Sequence, residues 1–365
     1  MTSFLRASVC AWLCCGTLVL AGGKLELVAG GGTGEEGGKA SEAKLVTPFG
    51  VDFDKAGNLY FVELNGHRVG KISPQGLLTR AAGTGEKGQS DGDGNPLQVK
   101  FNGMHSLAIA PNGDIFLADT WNNRIGKLDG KSGKFSVLAG TGTKGFSGDG
   151  GPAAEAQFGG IYCASLDPAG KNLYLADLDN RRIRRVDLTT GIVTTVAGNG
   201  RKGTPEDGAE AASAPLVDPR AVAADDKGNV YVLERGGNAL RVVNAEGRIR
   251  TLVGTGQAGL SGDGGPALQA TMRGPKHLCV DLDGNILLAD TENHVIRRYF
   301  PATGQIVRVA GTGKKGTAGI GDDPLNAQFN QPHGVFVHPD GTLYISDSTN
   351  HRILKISGGG RAATE

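Results

Sequence analysis

The sequence is short of cysteine, of aromatic residues and of any excess of one charge. Only 5 of its 365 residues are cysteine and 5% are aromatic, so neither disulfides nor a large aromatic core organises the fold. Lys and Arg (38) nearly balance Asp and Glu (37), which leaves a net charge of +1. A neutral chain lacks the overall attraction for phosphate that general nucleic-acid binders use. We therefore predict no nucleic-acid partner.

Long apolar runs are also missing, apart from one near the amino terminus. Residues 7–22 carry no charge, follow Arg6 and end in Leu-Ala-Gly. This pattern is typical of a secretory signal peptide over residues 1–22 and is short for a transmembrane helix. The alternative is an uncleaved membrane anchor. The pattern predicts a secreted or periplasmic protein with no other membrane contact.

Three of the five cysteines lie inside that segment, and Cys163 and Cys279 remain. Both fall in apolar runs typical of strands and are far apart in sequence. We therefore interpret them as small buried hydrophobic residues rather than as a disulfide. The stability of the exported chain must then come from packing.

Glycine, in contrast, is abundant, and its 61 residues mark an internal repeat. The glycine of one hairpin turn recurs at intervals of 56 to 58 residues. An acidic residue ends the following apolar run in each copy. These six acids are Glu63, Asp119, Asp177, Glu234, Asp290 and Asp347. Six units of about 57 residues indicate a repeat architecture.

Each unit is predicted to contain four short strands. In the second copy they are Ser106–Ala110, Ile115–Asp119, Arg124–Asp129 and Phe135–Ala139, separated by turns rich in Gly, Asn and Asp. Such a unit fits one blade of a propeller. The fold class is therefore all-β, a six-bladed β-propeller. It spans residues 24–357 as a single domain, and residues 358–365 form a flexible C-terminal tail.

The two ends of the chain predict how the ring closes. The last copy stops at Ile356 after its third strand, and its fourth strand is missing there. The segment Leu25–Ala29 has the pattern of a fourth strand. We expect this segment to complete the last blade, because exchange of a strand closes the ring without an open edge.

Two sequence patterns resemble ligand sites but are better explained by the fold. GxGxxG occurs six times, and no copy opens the long helix that a dinucleotide site requires. Asp91, Asp93 and Asn95 begin like a calcium loop, but Pro96 and Asn102 replace the expected glycine and glutamate. We interpret the Asp-rich loops as capped turns that lead into short helices begun at Pro152 or Pro266. Calcium stays a minor possibility.

The six acids are also expected to be structural. One acid at a fixed place in every blade suits a hydrogen bond at the corner after the second strand. A catalytic acid would be expected in one blade only.

One position varies among the copies in a way that points to function. It lies just before each predicted inner strand and should line one mouth of the central channel. Its occupants are Phe49, His105, Tyr162, Arg220, Lys276 and His333, at intervals of 56 to 58 residues. We call these six residues the mouth ring, and its last five members can all hydrogen-bond. The ring is suited to a carboxylate, phosphate or sugar.

The segments DIFLADTWNNRIGKLD (114–129) and TLYISDSTNHRILKIS (342–357) resemble NHL repeats. The resemblance covers all six units and implies a propeller that binds proteins or RNA or acts as an enzyme. The contexts FNGMHSLAI (101–109) and FNQPHGVFV (329–337) are similar to those of zinc-binding histidines in peptidyl-amidating lyases. This similarity implies His105 and His333 as metal ligands, whereas Arg220 stands at the third place and departs from that pattern.

These observations predict a monomeric propeller that binds a small anionic or carbohydrate ligand, or a protein partner, at the mouth ring. The ligand-binding residues are His105, Tyr162, Arg220, Lys276 and His333. The alternative is a lyase or hydrolase with Tyr162 and Arg220 as candidate catalytic residues. It would hold a divalent metal, zinc or calcium, weakly on His105 and His333.

Overall fold

A computed structural model describes residues 23–360 of the chain. In this part of the chain the regular structure consists of strands and short 3₁₀ helices. Six antiparallel sheets, each built on four strands, form a ring. The protein is thus a six-bladed β-propeller, as the repeats predict. None of the helices in residues 23–360 has the length and apolar character needed to span a membrane.

The first three blades are built from consecutive strands in chain order. In blade one the strands are β2 (Pro48–Phe53), β3 (Leu59–Glu63), β4 (Arg68–Ile72) and β5 (Leu78–Ala82). In blade two they are β6 (Ser106–Ile109), β7 (Ile115–Asp119), β8 (Arg124–Leu128) and β9 (Phe135–Ala139). In blade three they are β10 (Ile161–Leu166), β11 (Asn172–Asp177), β12 (Arg182–Asp187) and β13 (Val193–Ala197).

Blades four to six repeat this order with two variations. In blade four the strands are β14 (Pro219–Ala224), β15 (Val230–Glu234), β16 (Ala239–Val243) and β17 (Ile249–Val253). Blade five adds the two-residue β18 (Gly265–Pro266) to β19 (His277–Val280), β20 (Ile286–Asp290), β21 (Val295–Phe300) and β22 (Gln305–Ala310). In blade six β23 (Pro332–Val337), β24 (Leu343–Asp347) and β25 (Arg352–Ile356) are joined by β1 (Leu25–Gly30).

The amino-terminal strand closes the ring as predicted. β1 pairs antiparallel with β25, with Leu25 opposite Ile356 and Leu27 opposite Leu354. Leu25 is fully buried in the cluster that joins blades five and six. The amino-terminal strand therefore completes blade six, so that β25 keeps no unpaired edge.

The predicted strands of blade two are correct to within one residue. β6 and β8 each end one residue early, at Ile109 and Leu128. Ala110 instead begins the hairpin turn, since its N–H donates to the carbonyl of Asp114 and its carbonyl accepts from Gly113. The turn chemistry therefore ends the strand before the apolar run does.

Short 3₁₀ helices occur in the crossovers between blades and at the corners after second strands. They span Ala40–Glu42, Gly92–Gly94, Pro96–Gln98, Thr120–Asn122, Ala153–Glu155, Ala211–Ser213, Ala267–Gln269, Thr291–Asn293, Pro324–Asn326 and Ser348–Asn350. The helices expected at Pro152 and Pro266 begin one residue later, because each proline has extended backbone and occupies the cap position. The GxGxxG segments lead into these turns and not into long helices.

The core lies between neighbouring blades, and the crossovers contribute to it. Phe101, Phe158 and Phe329 are fully buried. Each lies four residues before a member of the mouth ring, so the crossover that packs between two blades also delivers the ring residue. Packing and placement of the ring thus depend on the same segment.

Several predictions concern the ends of the chain. The signal peptide or anchor at residues 1–22 lies outside the described residues, so export stays a prediction. Of the predicted tail, residues 361–365 also lie outside them. The N–H groups of Gly359 and Gly360 donate to the carbonyls of Ile356 and Gly341, so the tail begins as a turn against blade six.

We expect Leu25→Ala to lower the free energy of unfolding by about 3 kcal/mol, because it opens a cavity in the seam that closes the ring. Urea denaturation monitored by circular dichroism measures the change. The neighbouring Glu26 is exposed, and Glu26→Ala should change stability by less than about 0.5 kcal/mol. Equal effects of the two substitutions would contradict a closing role for β1.

Candidate functional site

The mouth ring is built by a recurring irregularity at the start of the inner strands. Four of its members lie inside the inner strands rather than before them, which corrects the sequence prediction. Phe49, Tyr162, Arg220 and His333 are skipped in the pairing between the first and second strands of their blades. A β-bulge re-aims the side chain of the unpaired residue, and here it directs these residues into the ring.

In blades two and five the inner strand begins one residue after the ring position. The backbone N–H groups of His105 and Lys276 still donate to the second strand, to the carbonyls of Ala118 and Ala289. The ring position is therefore formed in two ways: at a bulge inside the inner strand in four blades, and just before the inner strand in two.

The structure brings the predicted ring together as a nearly continuous series of contacts. Phe49 stacks on His333 with ring centroids 4.2 Å apart and meets His105 edge-on at 5.0 Å. His105 lies 4.5 Å from the Tyr162 ring, and the Arg220 guanidinium lies 4.7 Å from the centre of that ring. The charge of Lys276 contributes to lowering the pKa of both His105 and His333, which places its ammonium near both rings.

The acid at the end of each second strand holds the segment that enters the ring position of its own blade. The carboxylate of Asp119 accepts from the backbone N–H of Asn102, at 2.8 Å, and from Asn122 and Arg124. The other five acids accept the equivalent backbone N–H, from Val46, Gly159, Val217, Arg273 and Asn330. All six acids are fully buried. The acids are therefore structural, but the backbone N–H that each accepts belongs to the entering crossover segment and not to the corner turn, which corrects the predicted partner.

Sequence reasoning missed the arginine that partners each acid. Arg124 and Arg352 occupy the fifth position after the acid, as does Arg68. In blades three to five the arginine lies at the seventh position, as Arg184, Arg241 and Arg297. The recurrence of Arg at one of two offsets was visible in the sequence and could have revealed these pairs.

Two ring histidines have their orientation set by backbone carbonyls. Nδ1 of His105 lies 2.8 Å from the carbonyl of Gly103, and Nδ1 of His333 lies 2.7 Å from that of Gln331. Carbonyls only accept, so both Nδ1 atoms carry the proton. Burial, followed by nearby cations, holds the pKa of both rings well below the usual range. Both imidazoles are therefore neutral, with Nε2 as the unprotonated nitrogen.

Arg220 is the least conventional residue of the ring. It is only 3% exposed, and its Nη1 donates to the carbonyl of Tyr162 at 3.0 Å. Within residues 23–360 no carboxylate forms an ion pair with it, and burial lowers its pKa to about 10. Its charge also lowers the pKa of His105, His277 and His333, on three different blades. The guanidinium is therefore a buried, unpaired positive charge near the axis.

Two further cations lie on the blade of Arg220 and on the next one, and the distances from both to their carboxylate partners are long for an ion pair. Lys276 lies 3.6 Å from Glu292, and Arg235 lies 3.7 Å from Asp218. Burial, opposed by Glu292 and assisted by Arg220 and Arg235, lowers the pKa of Lys276. Sequence reasoning did not anticipate Arg235. Blades four and five thus bring three cations and two carboxylates together, which leaves the charge of Arg220 without a carboxylate partner within residues 23–360.

The donor set does not fit a three-ligand zinc site. His105 and His333 offer two neutral imidazoles, but the third place is taken by the permanently charged Arg220. Across the described part of the chain, no three His, Cys, Asp or Glu side chains are grouped as metal ligands. Phe49 also packs against both imidazoles.

A second feature, not predicted from the sequence, lies on the other side of the ring. A cavity of about 790 Å³ is lined by all six inner strands, including Val51, Leu107 and Val222. Exposed residues of the hairpin turns, such as Lys227 and Leu282, form its rim. The cavity therefore opens on the face opposite the mouth. Most of the ring is buried and separates the two.

Both remaining cysteines line this cavity and are free thiols. Cys163 is buried and Cys279 is partly exposed, and burial raises the pKa of both thiols, that of Cys279 to about 12. They behave as small apolar residues, as predicted. His277, one residue out of phase with the ring, also lines the cavity, and burial lowers its pKa to about 4.

Comparison with known proteins identifies the repeat of this chain. The family model of the NHL repeat matches residues 101–128 and 329–356, and that of the Teneurin NHL domain matches residues 155–261. The chain is a six-bladed NHL-repeat β-propeller. The repeats proposed from sequence are confirmed.

Relatives of this NHL propeller include longer proteins. It is 26% identical over 290 residues to Protein SUPPRESSOR OF QUENCHING 1, chloroplastic, of Arabidopsis thaliana, covering 76% of this chain and 27% of that protein. It is 26% identical over 339 residues to NHL repeat-containing protein 2 of Homo sapiens, covering 85% of this chain and 46% of the relative. The chain thus spans between a quarter and a half of these relatives.

A solved structure with the same fold is an auxiliary nutrient binding protein from Bacteroides thetaiotaomicron. The TM-score is 0.65 at 15% identity, and the match covers 91% of this chain and 75% of that one. At this identity the similarity establishes the fold.

The cavity of the NHL propeller contains a carboxyl group whose ionisation should affect stability. Asp52 is partly buried there and accepts from the N–H groups of Ile109 and Phe53 at 2.8 and 2.7 Å. Burial outweighs these bonds and raises its pKa from 3.8 to about 7. The folded state therefore holds the proton more tightly than the unfolded state between these values.

We expect the contribution of Asp52 to stability to be present at low pH and lost as pH rises through about 7. The free energy of unfolding, measured in urea at pH 4.5 and pH 8, should therefore fall less in Asp52→Asn than in the unmodified protein. Asp226→Asn, at an exposed residue of the cavity rim, is the control. An unchanged pH dependence in Asp52→Asn would show that Asp52 ionises normally.

Proposed function

We propose that this NHL propeller is a binding domain that takes a small anionic ligand at the mouth ring. The observation that carries the proposal is Arg220, a buried guanidinium without a carboxylate partner in the described part of the chain. An unpaired buried charge lowers the stability of the fold, so its presence suggests a role in function. A ligand carboxylate or phosphate would supply the missing partner.

Neighbouring residues would complete this site. Lys276 and Arg235 add positive charge and have only loose partners, so their positions suit an incoming anion. Tyr162 is partly exposed and offers a hydroxyl, and His105 and His333 offer neutral nitrogen acceptors. The fold is compatible with ligand binding, since a nutrient-binding protein shares it. A protein partner that inserts an acidic side chain would satisfy the same chemistry.

The proposal predicts a specific contrast between two buried arginines of blade four. Arg220 and Arg241 are 3% and 4% exposed, but only Arg241 pairs with a carboxylate, that of Glu234. Arg220→Met should leave the free energy of unfolding unchanged or raise it, because an unpaired buried charge is removed. Arg241→Met should lower it by about 3 to 5 kcal/mol, because Glu234 loses its partner. Urea denaturation measures both, and a large loss in Arg220→Met would assign Arg220 a structural role.

Anion binding itself is measured by titrating the protein with acetate and with inorganic phosphate in a calorimeter. We expect at least one of the two anions to bind, and Lys276→Met to weaken its binding at least threefold through loss of charge. Lys131→Met, at an exposed turn lysine outside the mouth, removes the same charge and should have no effect. Failure of both anions to bind at low ionic strength would refute the proposed site.

A second candidate function, a lyase or hydrolase, is favoured by the orientation of the two histidines. Carbonyl acceptors on Nδ1 are typical of metal-binding histidines and leave Nε2 for a ligand. Tyr162 and Arg220 would then act on the substrate.

Metal analysis of protein purified without chelator separates the two functions. We expect less than 0.1 equivalent of zinc, because two imidazoles beside a guanidinium hold the ion weakly. Near-stoichiometric zinc that is lost in both His105→Ala and His333→Ala would instead establish the enzymatic alternative. His351→Ala, at an exposed histidine, is the control.

A further inference from the structure

A second set of six positions lies beside the mouth ring. Each position is two residues after the acid that ends the second strand of its blade. The occupants are Asn65, Trp121, Asp179, Gly236, Glu292 and Thr349. We call this set the rim. Each rim position is paired with an entry residue two before the ring, and all six entry residues have positive φ. These are Thr47, Gly103, Gly160, Asp218, Gly274 and Gln331.

In four of the six blades, a side chain at one of these two positions is matched by a glycine at the other. Where the rim residue is Trp121, Asp179 or Glu292, the entry residue is glycine. A Cβ at Gly103 would lie 2.1 Å from the Trp121 ring, so only glycine lets the indole lie against the backbone there. In blade four the order is reversed, with Gly236 on the rim and Asp218 at the entry position.

The indole of Trp121 is held as a rigid surface. Its backbone N–H donates to the carbonyl of Asn102, and its Nε1–H lies 3.4 Å from the hydroxyl of Tyr162. Its ring also meets His105 edge-on, with centroids 5.6 Å apart. The side chain nevertheless stays 44% exposed. A fixed aromatic face open to solvent is suited to stacking on a flat ligand at little entropic cost.

Tyr162 joins this aromatic face to the unpaired cation. The phenol hydroxyl contacts Trp121, and the phenol ring contacts the guanidinium of Arg220. The exposed indole and the buried guanidinium therefore contact the same side chain. Two blades further along the ring, the glycine at position 236 leaves the rim of blade four without a side chain beside Arg235.

The other rim residues bear on the kind of ligand that the mouth would accept. Asn65, Asp179, Glu292 and Thr349 are all polar and carry oxygen acceptors, of which those of Asp179 and Glu292 also contact Lys144 and Lys276. Hydroxyl groups of a sugar can donate to these oxygens, whereas an aromatic acid has no such donors. A ligand that satisfies the rim needs a flat apolar face, several hydroxyls and one negative charge.

We infer that the ligand of the mouth is a sugar ring that carries a carboxylate, a uronic acid, stacked on Trp121 with its carboxylate toward Arg220 and Lys276. This inference rests on the proposed function and specifies its substrate class. The carboxylate would pair with the cations, the ring face would cover the indole, and the hydroxyls would donate to the rim.

The experiment compares glucuronate, glucose, benzoate and acetate as ligands of the full chain. The sequence contains two tryptophans, Trp12 and Trp121, so the Trp12→Phe background makes Trp121 the only indole that emits. We expect glucuronate to change the Trp121 fluorescence and to bind at least tenfold more tightly than acetate, glucose or benzoate. Calorimetry on the same samples measures the four affinities independently of fluorescence.

Variants then separate stacking from charge. Calorimetry should show that Trp121→Ala reduces glucuronate affinity to the level of acetate and leaves acetate binding unchanged, while Trp121→Phe recovers part of the difference. Phe146→Ala, at another exposed aromatic residue, stacked on Arg182 in a crossover, should change neither.

The outcomes distinguish this inference from the function on which it rests. Glucuronate binding no tighter than acetate, or unaffected by Trp121→Ala, would overturn the sugar assignment and leave the anion site standing. Benzoate binding more tightly than glucuronate would assign an aromatic acid instead. Absence of binding by glucuronate, acetate and phosphate alike would overturn the proposed function itself.

Discussion

The buried ion pair at the corner after each second strand is the interaction on which the rest of the structure depends. Its acid, such as Asp119, accepts from the backbone of the entering segment and from an arginine on the third strand. One carboxylate thus ties two strands to the crossover that arrives from the preceding blade. Loss of the arginine would leave a buried charge, which is far more costly than loss of a surface ion pair. Repetition of this corner makes the six blades equivalent.

The equivalence of the blades allows one position to vary without cost to the fold. Because the corner and the bulge fix the backbone, any side chain at the ring position reaches the same level. Phe49 can therefore fill space, His105 can hydrogen-bond, and Arg220 can stay unpaired within one framework. Function in such a fold depends on differences among copies, whereas similarity among copies maintains the architecture.

The propeller has two chemically different ends. The mouth contains Arg220 and is nearly filled by its own side chains, and the opposite end opens into a cavity of mixed apolar and charged lining that contains Asp52. A single buried layer, which includes Arg220, separates them. The guanidinium influences His105 on the mouth side and His277 on the cavity side. Charge placed near the axis is therefore felt at both ends of the channel.

Periodicity in the sequence determined the number of blades, the closing strand at Leu25–Ala29 and the members of the ring, because each blade is a local unit whose hydrogen bonds follow from turns and alternation. Tertiary structure alone decided that most of the ring is buried, that Arg220 has no carboxylate partner within residues 23–360, and that a cavity opens behind it. The contacts of Trp121 with Tyr162 and His105 are likewise visible only in the tertiary structure. These properties depend on distances between blades, and side chains more than 50 residues apart meet only after the ring has closed.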